Sequence, residues 1–414
     1  MIVSISPVIG PRRNGPQGVR LGFSAKGVRF FSVVLLSLTL GIPGESSTLR
    51  SLRPVVFEGR SGFGLANDKL EVVILIRGGS LASLVLRDDP EQLNPLWNPV
   101  RMAREAGQQP PAHPHFGHFV CVDGFGPGSV EEQAAGLPYH GEARTQRWKL
   151  RFARKQGDTL TLQFSTLLPR VLQRFTRTFR LVDGENVIYI ESELENLLAF
   201  DRPICWAEHV TIASPFLESG KTRVDLSARR CQTRAYLPEE EAPPPRLASG
   251  REFIWPLAPG VDGKLIDLRM AAASLSMDHA TCVMDRVGRY AFVTALHVEK
   301  RLVLGYIFRP EDYPWLQDWQ DYSTPGQSVR GLEFATQPFD MSRREAVRMG
   351  ALFDVPTYRW LPARSKIRTS FLLFYARVPE GFRRVDDVWL GEGQIVLQDR
   401  EAGKRVVLAA SRKL

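Results

Sequence analysis

An all-β fold, a large antiparallel β-sandwich, is what this sequence predicts, and three observations predict it. Apolar and period-two runs of strand length recur from about residue 54 onward. Turn signals separate them, such as Gly157-Asp158 and Asp183-Gly184-Glu185-Asn186. Long helical periods are nearly absent, and the 34 Gly and 29 Pro are spread along the chain as many short strands require. With 414 residues the chain is long enough to bury one large core or two ordinary ones.

Residues 1–48 read as a targeting segment outside the fold, and residues 49–414 as a single sandwich domain. Arg12, Arg13, Arg20, Lys26 and Arg29 precede the apolar run from Phe30 to Leu40, then Gly41, Pro43 and Gly44. That is the layout of a secretory signal, and its 11-residue apolar run is too short for a stable membrane span. An exported, periplasmic or secreted protein is therefore expected. No Ala-x-Ala site follows, so a start at Val28 is one hypothesis; an intact Met1 terminus on exported protein would sink it.

The first buried strand candidate spans residues 70–76, turning at Gly78-Gly79 into 81–86. Others lie at 145–154, 159–168, 171–182, 186–195, 205–213, 265–275, 290–298, 301–308, 330–337, 348–354 and 367–377, with one short helix at 340–349. Residues 104–140, rich in Pro, Gly and His, read as a long loop over a sheet edge, where binding elements often lie. The acidic, Pro-rich stretch 237–249 reads as a surface loop.

Five of the basic residues behind the net charge of +9 fall within residues 1–44, and no basic run with interleaved aromatics follows, so no nucleic-acid partner is expected. Cys121, Cys205, Cys231 and Cys282 form no Cys-x-x-Cys, which excludes zinc-ribbon and thioredoxin readings. One or two disulfides are compatible with export; Cys205 and Cys282 sit in apolar runs and read as small core residues.

The chemistry-bearing residues fall in three segments: Tyr139-His140-Gly141-Glu142-Ala143-Arg144, Trp206-Ala207-Glu208-His209 and Gly331-Leu332-Glu333-Phe334-Ala335-Thr336-Gln337. On a strand, His209 shares a face with Cys205, Ala207 and Thr211, while Glu208 points the other way. Arg144 would share a face with His140 and is suited to hydroxyls or an anionic substituent. His113, His115 and His118 raise a metal reading, but no further ligand stands at a recognised spacing; His118 is read instead as facing the cleft.

The order and surroundings of these segments resemble the galactose mutarotase (aldose 1-epimerase) family over most of residues 55–378. The resemblance implies a sandwich with a sugar-binding cleft on one sheet, a sugar or oligosaccharide partner, and no metal or cofactor. It implies His209 as acid, Glu333 as base and His140 beside the ring oxygen, with Asp267 and Trp315 as substrate-binding residues. Arg144, His118 and Gln337, which shares a strand face with Glu333, are read from their own placement as further substrate-binding residues. One departure stands out. The family glutamate directly precedes Thr-Gln, whereas here Ala335 does, and Glu333 lies two residues earlier, about 6–7 Å along a strand. A non-catalytic carbohydrate-binding sandwich and a polysaccharide-processing enzyme remain the alternatives. Hydrolysis calls for two placed carboxylates, and only Glu333 stands out.

Overall fold

The computed structural model describes residues 52–235, 245–286 and 288–414. The segment expected at 1–48 and most of the acidic Pro-rich stretch lie outside the described residues. The period-two pattern produces two large antiparallel sheets, one of 13 strands and one of eight. At the middle of the larger sheet stand His118–Val122, Trp206–Ala213, Gln327–Ala335, Trp315–Thr324, Met277–Met284 and Ala228–Thr233, in that spatial order.

Alternate residues of these strands face the second sheet. Val120, Val210, Ile212, Leu316, Leu332 and Phe334 meet Phe175, Phe179, Ile190, Phe371 and Leu373, all buried in one continuous core. Each such side chain stabilises the fold by about 1.5–3 kcal/mol through removal from water. The eight-stranded sheet is covered on its other face too. There Val187, Tyr189, Leu372 and Phe374 pack against Ile395, Leu397, Val406 and Leu408 of a three-stranded sheet formed by Asp387–Gly391, Gln394–Asp399 and Lys404–Ala409. Burial on both faces explains why Leu302–Phe308 reads as an unbroken apolar run and why Ala291–His297, buried throughout, shows no alternation.

Several elements differ from expectation. The long loop at 104–140 contains the strand His118–Val122, buried throughout, and a short helix, Val130–Ala134. The surrounding Pro and Gly masked a short apolar run, residues 119–122, that follows His118. The strand expected over 265–275 is only Leu265–Asp267, and that over 348–354 only Ala351–Leu352. Met277–Met284 and Trp315–Thr324 escaped notice because they bury polar residues, including Asp278, Gln317, Asp318 and Gln320. The helix expected at 340–349 is Arg343–Met349, opened by a Ser342–Glu345 capping box. Cys205 is a buried free thiol, as is Cys121, but Cys282 is bonded to Cys231 across two neighbouring strands.

Candidate functional site

Antiparallel register sets four side chains abreast on the face of the large sheet away from the core. Phe119 pairs with His209, and Glu333 pairs with Gln317. The pairs Ala207–Ala335 and Thr211–Gly331 bracket His209 and Glu333, which therefore stand opposite each other. His209 Nε2 lies 3.2 Å from Glu333 Oε1. The imidazole stacks on Phe119 with centroids 4.2 Å apart, and its Nδ1 lies 3.0 Å from Thr211 Oγ1. Gly331 makes room for the carboxylate: a Cβ there would stand 2.2 Å from Glu333 Oε1. That close approach accounts for a glycine in the middle of a strand.

His140 enters from the loop above. The turn that carries it places both His140 (φ +63°) and Gly141 (φ +74°) in the left-handed region. A Cβ on Gly141 would meet the Val122 carbonyl oxygen at 2.4 Å, so the loop depends on glycine to lie this close to the sheet. The Gly126 N–H donates to His140 Nδ1 at 3.0 Å, which leaves the proton of the neutral ring on Nε2. The His140 and His209 ring centroids are 4.9 Å apart.

These residues floor a cleft of about 390 Å³ with an aromatic and a polar wall. Trp97, Tyr139 and Trp319 supply the aromatic surface. On the polar side, His279 Nε2 donates to Gln317 Oε1 at 2.8 Å, and Arg234 donates to His279 Nδ1 at 3.1 Å. Asp340 is ion-paired with Arg234.

Burial dominates the electrostatics. It pushes Glu333 well above the usual carboxylate range, with Asp318 adding to the shift and Arg234 only partly opposing it. Burial likewise holds His209 and His140 well below the ordinary imidazole value, with neighbouring imidazoles and Arg144 acting in the same direction. His279 is lowered to about 3 by burial and Arg234, and His115 to about 4 by burial and Arg144. The floor therefore favours a neutral imidazole–carboxylic acid pair.

The structure brings His140, His209 and Glu333 together and leaves other expected residues elsewhere. Arg144 stands beside the cleft, with its Nε donating to the Tyr139 carbonyl at 2.7 Å and its guanidinium against His115. His118 does not face the cleft. Its strand turns it into the core, where Nε2 donates to Glu208 Oε2 at 2.9 Å. Trp315 shares the cleft face of the sheet, but the chain around Pro356 covers it and accepts its indole N–H at 2.9 Å. Gln337 is buried, with its amide donating to the Phe339 carbonyl at 2.6 Å. Asp267 lies on the edge strand of the large sheet, bound to Arg269. Sequence reasoning missed Arg234 and His279. Their signal is the period-two placement of His279 and Thr281 on a strand whose neighbour carries Gln317 and Trp319.

No protein-family model matches the sequence, and no curated protein is similar to it in sequence. Solved structures do resemble the fold. A galactose mutarotase-like protein from Clostridium acetobutylicum aligns with 79% of this chain and 98% of its own at TM-score 0.52 and 14% identity. One from Lactobacillus casei aligns with 76% and 100% at TM-score 0.51 and 13% identity. A galactose mutarotase related enzyme from Lactobacillus acidophilus aligns with 76% and 97% at TM-score 0.51 and 13% identity. The likeness establishes the architecture, which this chain shares.

Proposed function

We propose that this chain, a galactose mutarotase-like sandwich, acts on carbohydrate and interconverts the α and β anomers of an aldose. The observation that carries the reading is the His209–Glu333 pair, 3.2 Å apart on the cleft floor beside His140. Anomer exchange removes a proton from the anomeric hydroxyl and places one on the ring oxygen. Both oxygens are bonded to the same carbon, so two adjacent groups on one floor can serve both.

With one proton shared, the pair has two forms. In the ionic form the Glu333 carboxylate accepts the hydroxyl proton while the His209 imidazolium donates to the ring oxygen. The bond between the anomeric carbon and the ring oxygen breaks, leaving an open aldehyde facing a carboxylic acid and a neutral imidazole. Rotation of the aldehyde and reversal of the transfers close the ring on its other face and restore the ion pair, with no net proton gained or lost. Burial favours the neutral form, which faces the opened sugar. His140 Nε2–H is the donor that would polarise the ring oxygen. Trp97, Tyr139 and Trp319 offer surface for the apolar C–H face of a sugar ring.

Export fits the Cys231–Cys282 disulfide, a bond that persists in oxidising compartments. The competing reading, a sugar-binding sandwich without turnover, draws on the same aromatic wall. Polarimetry on freshly dissolved α-D-glucose and α-D-galactose tests both. Accelerated decay of rotation, lost in His209→Asn, is the expected result; bound sugar without acceleration would favour the binding module.

A further inference from the structure

Beside the cleft lies a second cavity, of about 470 Å³, that shares His115 and Phe119 with it. Its charge is one-sided. Arg60, Arg77 and Arg144 line it together with His113 and His115, and no carboxylate is among its lining residues. Elsewhere on this protein, arginines are commonly matched to acids, as in Arg177–Glu208, Arg330–Asp318 and Arg343–Asp123. Among the described residues these three have no such partner. Arg60 donates to the Glu58 backbone carbonyl at 2.8 Å and lies over the Phe116 ring. Arg144 is held by the Tyr139 carbonyl and His115, and the Arg77 side chain has no hydrogen bond or ion pair to a described residue. Arg60 and Arg144 are half-buried, where an uncompensated guanidinium is costly and attracts an anion most strongly.

We propose that this cavity is an anion subsite, taking a phosphoryl, sulfate or carboxylate substituent of the sugar seated in the cleft. The inference rests on the carbohydrate reading above: His115 and Phe119 border both spaces, so a substituent on a sugar in the cleft lies next to the second cavity. Planar guanidinium forks match the oxygens of all three groups. All three arginines line the second cavity and none lines the cleft; Arg144 is the one set against His115, which borders both spaces. A neutral sugar engages only the cleft.

Isothermal titration of the full-length protein with D-glucose, D-glucuronate, D-glucose 6-phosphate and inorganic phosphate, at low and high salt, tests this. An anionic sugar is expected to bind on the order of tenfold or more tightly than D-glucose at low salt, with the advantage shrinking at high salt. The Arg60→Gln/Arg77→Gln variant should lose that advantage while binding D-glucose as before. Arg60→Lys/Arg77→Lys should keep part of it, which separates lost charge from lost fold. Equal affinity for neutral and anionic sugars, or a preference surviving in the Gln variant, overturns the subsite and leaves the carbohydrate reading standing. Absence of binding by every sugar overturns both. In that event, phosphate bound by the parent but not by the Gln variant would assign the cavity to a free anion.

Discussion

One strand, Trp206–Ala213, carries two imidazole–carboxylate pairs on its opposite faces, and their contrast separates scaffold from site. Glu208 faces the core and meets His118; its neighbour His209 faces the cleft and meets Glu333. Both pairs are almost wholly shielded from solvent. Their surroundings differ. Glu208 accepts from Arg177, His118, Trp206 and Tyr313, groups drawn from both sheets. Burial alone would raise its pKa, but Arg177 and the His118 hydrogen bond outweigh that and hold it below the usual carboxylate range. Glu333 has no such cation against it and is pushed the other way. A buried carboxylate with its lone pairs filled fastens two sheets; one left to share a proton with an imidazole beside a cleft is available for transfer.

Breaking the cleft pair should have the largest effect. Glu333→Gln is expected to lower mutarotation by about 10²–10⁴-fold, a general-base contribution, with the fold intact by circular dichroism. The same variant sharpens the electrostatic contrast. Because Glu333 is raised above its unfolded value near 4.5, the stability from its protonated form is full below that value. That stability is lost as pH rises through the folded pKa. Glu333→Gln should therefore be more stable than the parent at alkaline pH and converge on it near pH 4; urea midpoints across pH would test this, and a constant difference would refute it.

Breaking the core pair should unfold rather than inactivate. Glu208→Gln leaves Arg177 buried without a counter-ion and should cost about 3–5 kcal/mol in urea denaturation. A loss below about 1 kcal/mol would mean the network is dispensable. Subtler substitutions probe each side. Gly331→Ala places a methyl where the Glu333 carboxylate lies, and the flexible end of that side chain can shift. Turnover should fall on the order of tenfold with little change in stability. Tyr313→Phe removes one donor from Glu208 and should cost about 1 kcal/mol with turnover unchanged.

Alternation alone placed Glu208 and His209 on opposite faces, but it failed for Gln337, which lies beyond the end of the Glu333 strand and is tied to the Phe339 carbonyl. The displacement of Glu333 from Thr336-Gln337 was visible as well, but its consequence was not. Only the pairing of strands distant in sequence shows that position 333, not 335, stands opposite His209, while Ala335 packs against Ala207 in an apolar cluster. His118 was misplaced for the same reason: its strand was hidden among prolines and glycines, so its facing could not be inferred. The wall of Arg234 and His279 escaped because buried polar residues on neighbouring strands break the alternation on which strand reading depends. Local patterns carry facing; non-local register carries who meets whom.

The three-stranded sheet over residues 387–409 bears on how the protein is made. A ribosome delivers the strands of both large sheets before it delivers this cover. Until then Val187, Tyr189, Leu372 and Phe374 present a bare adhesive face to the surroundings. The nascent molecule thus passes through an interval in which its sandwich can be assembled but its back is uncovered, when capture by another chain competes with completion.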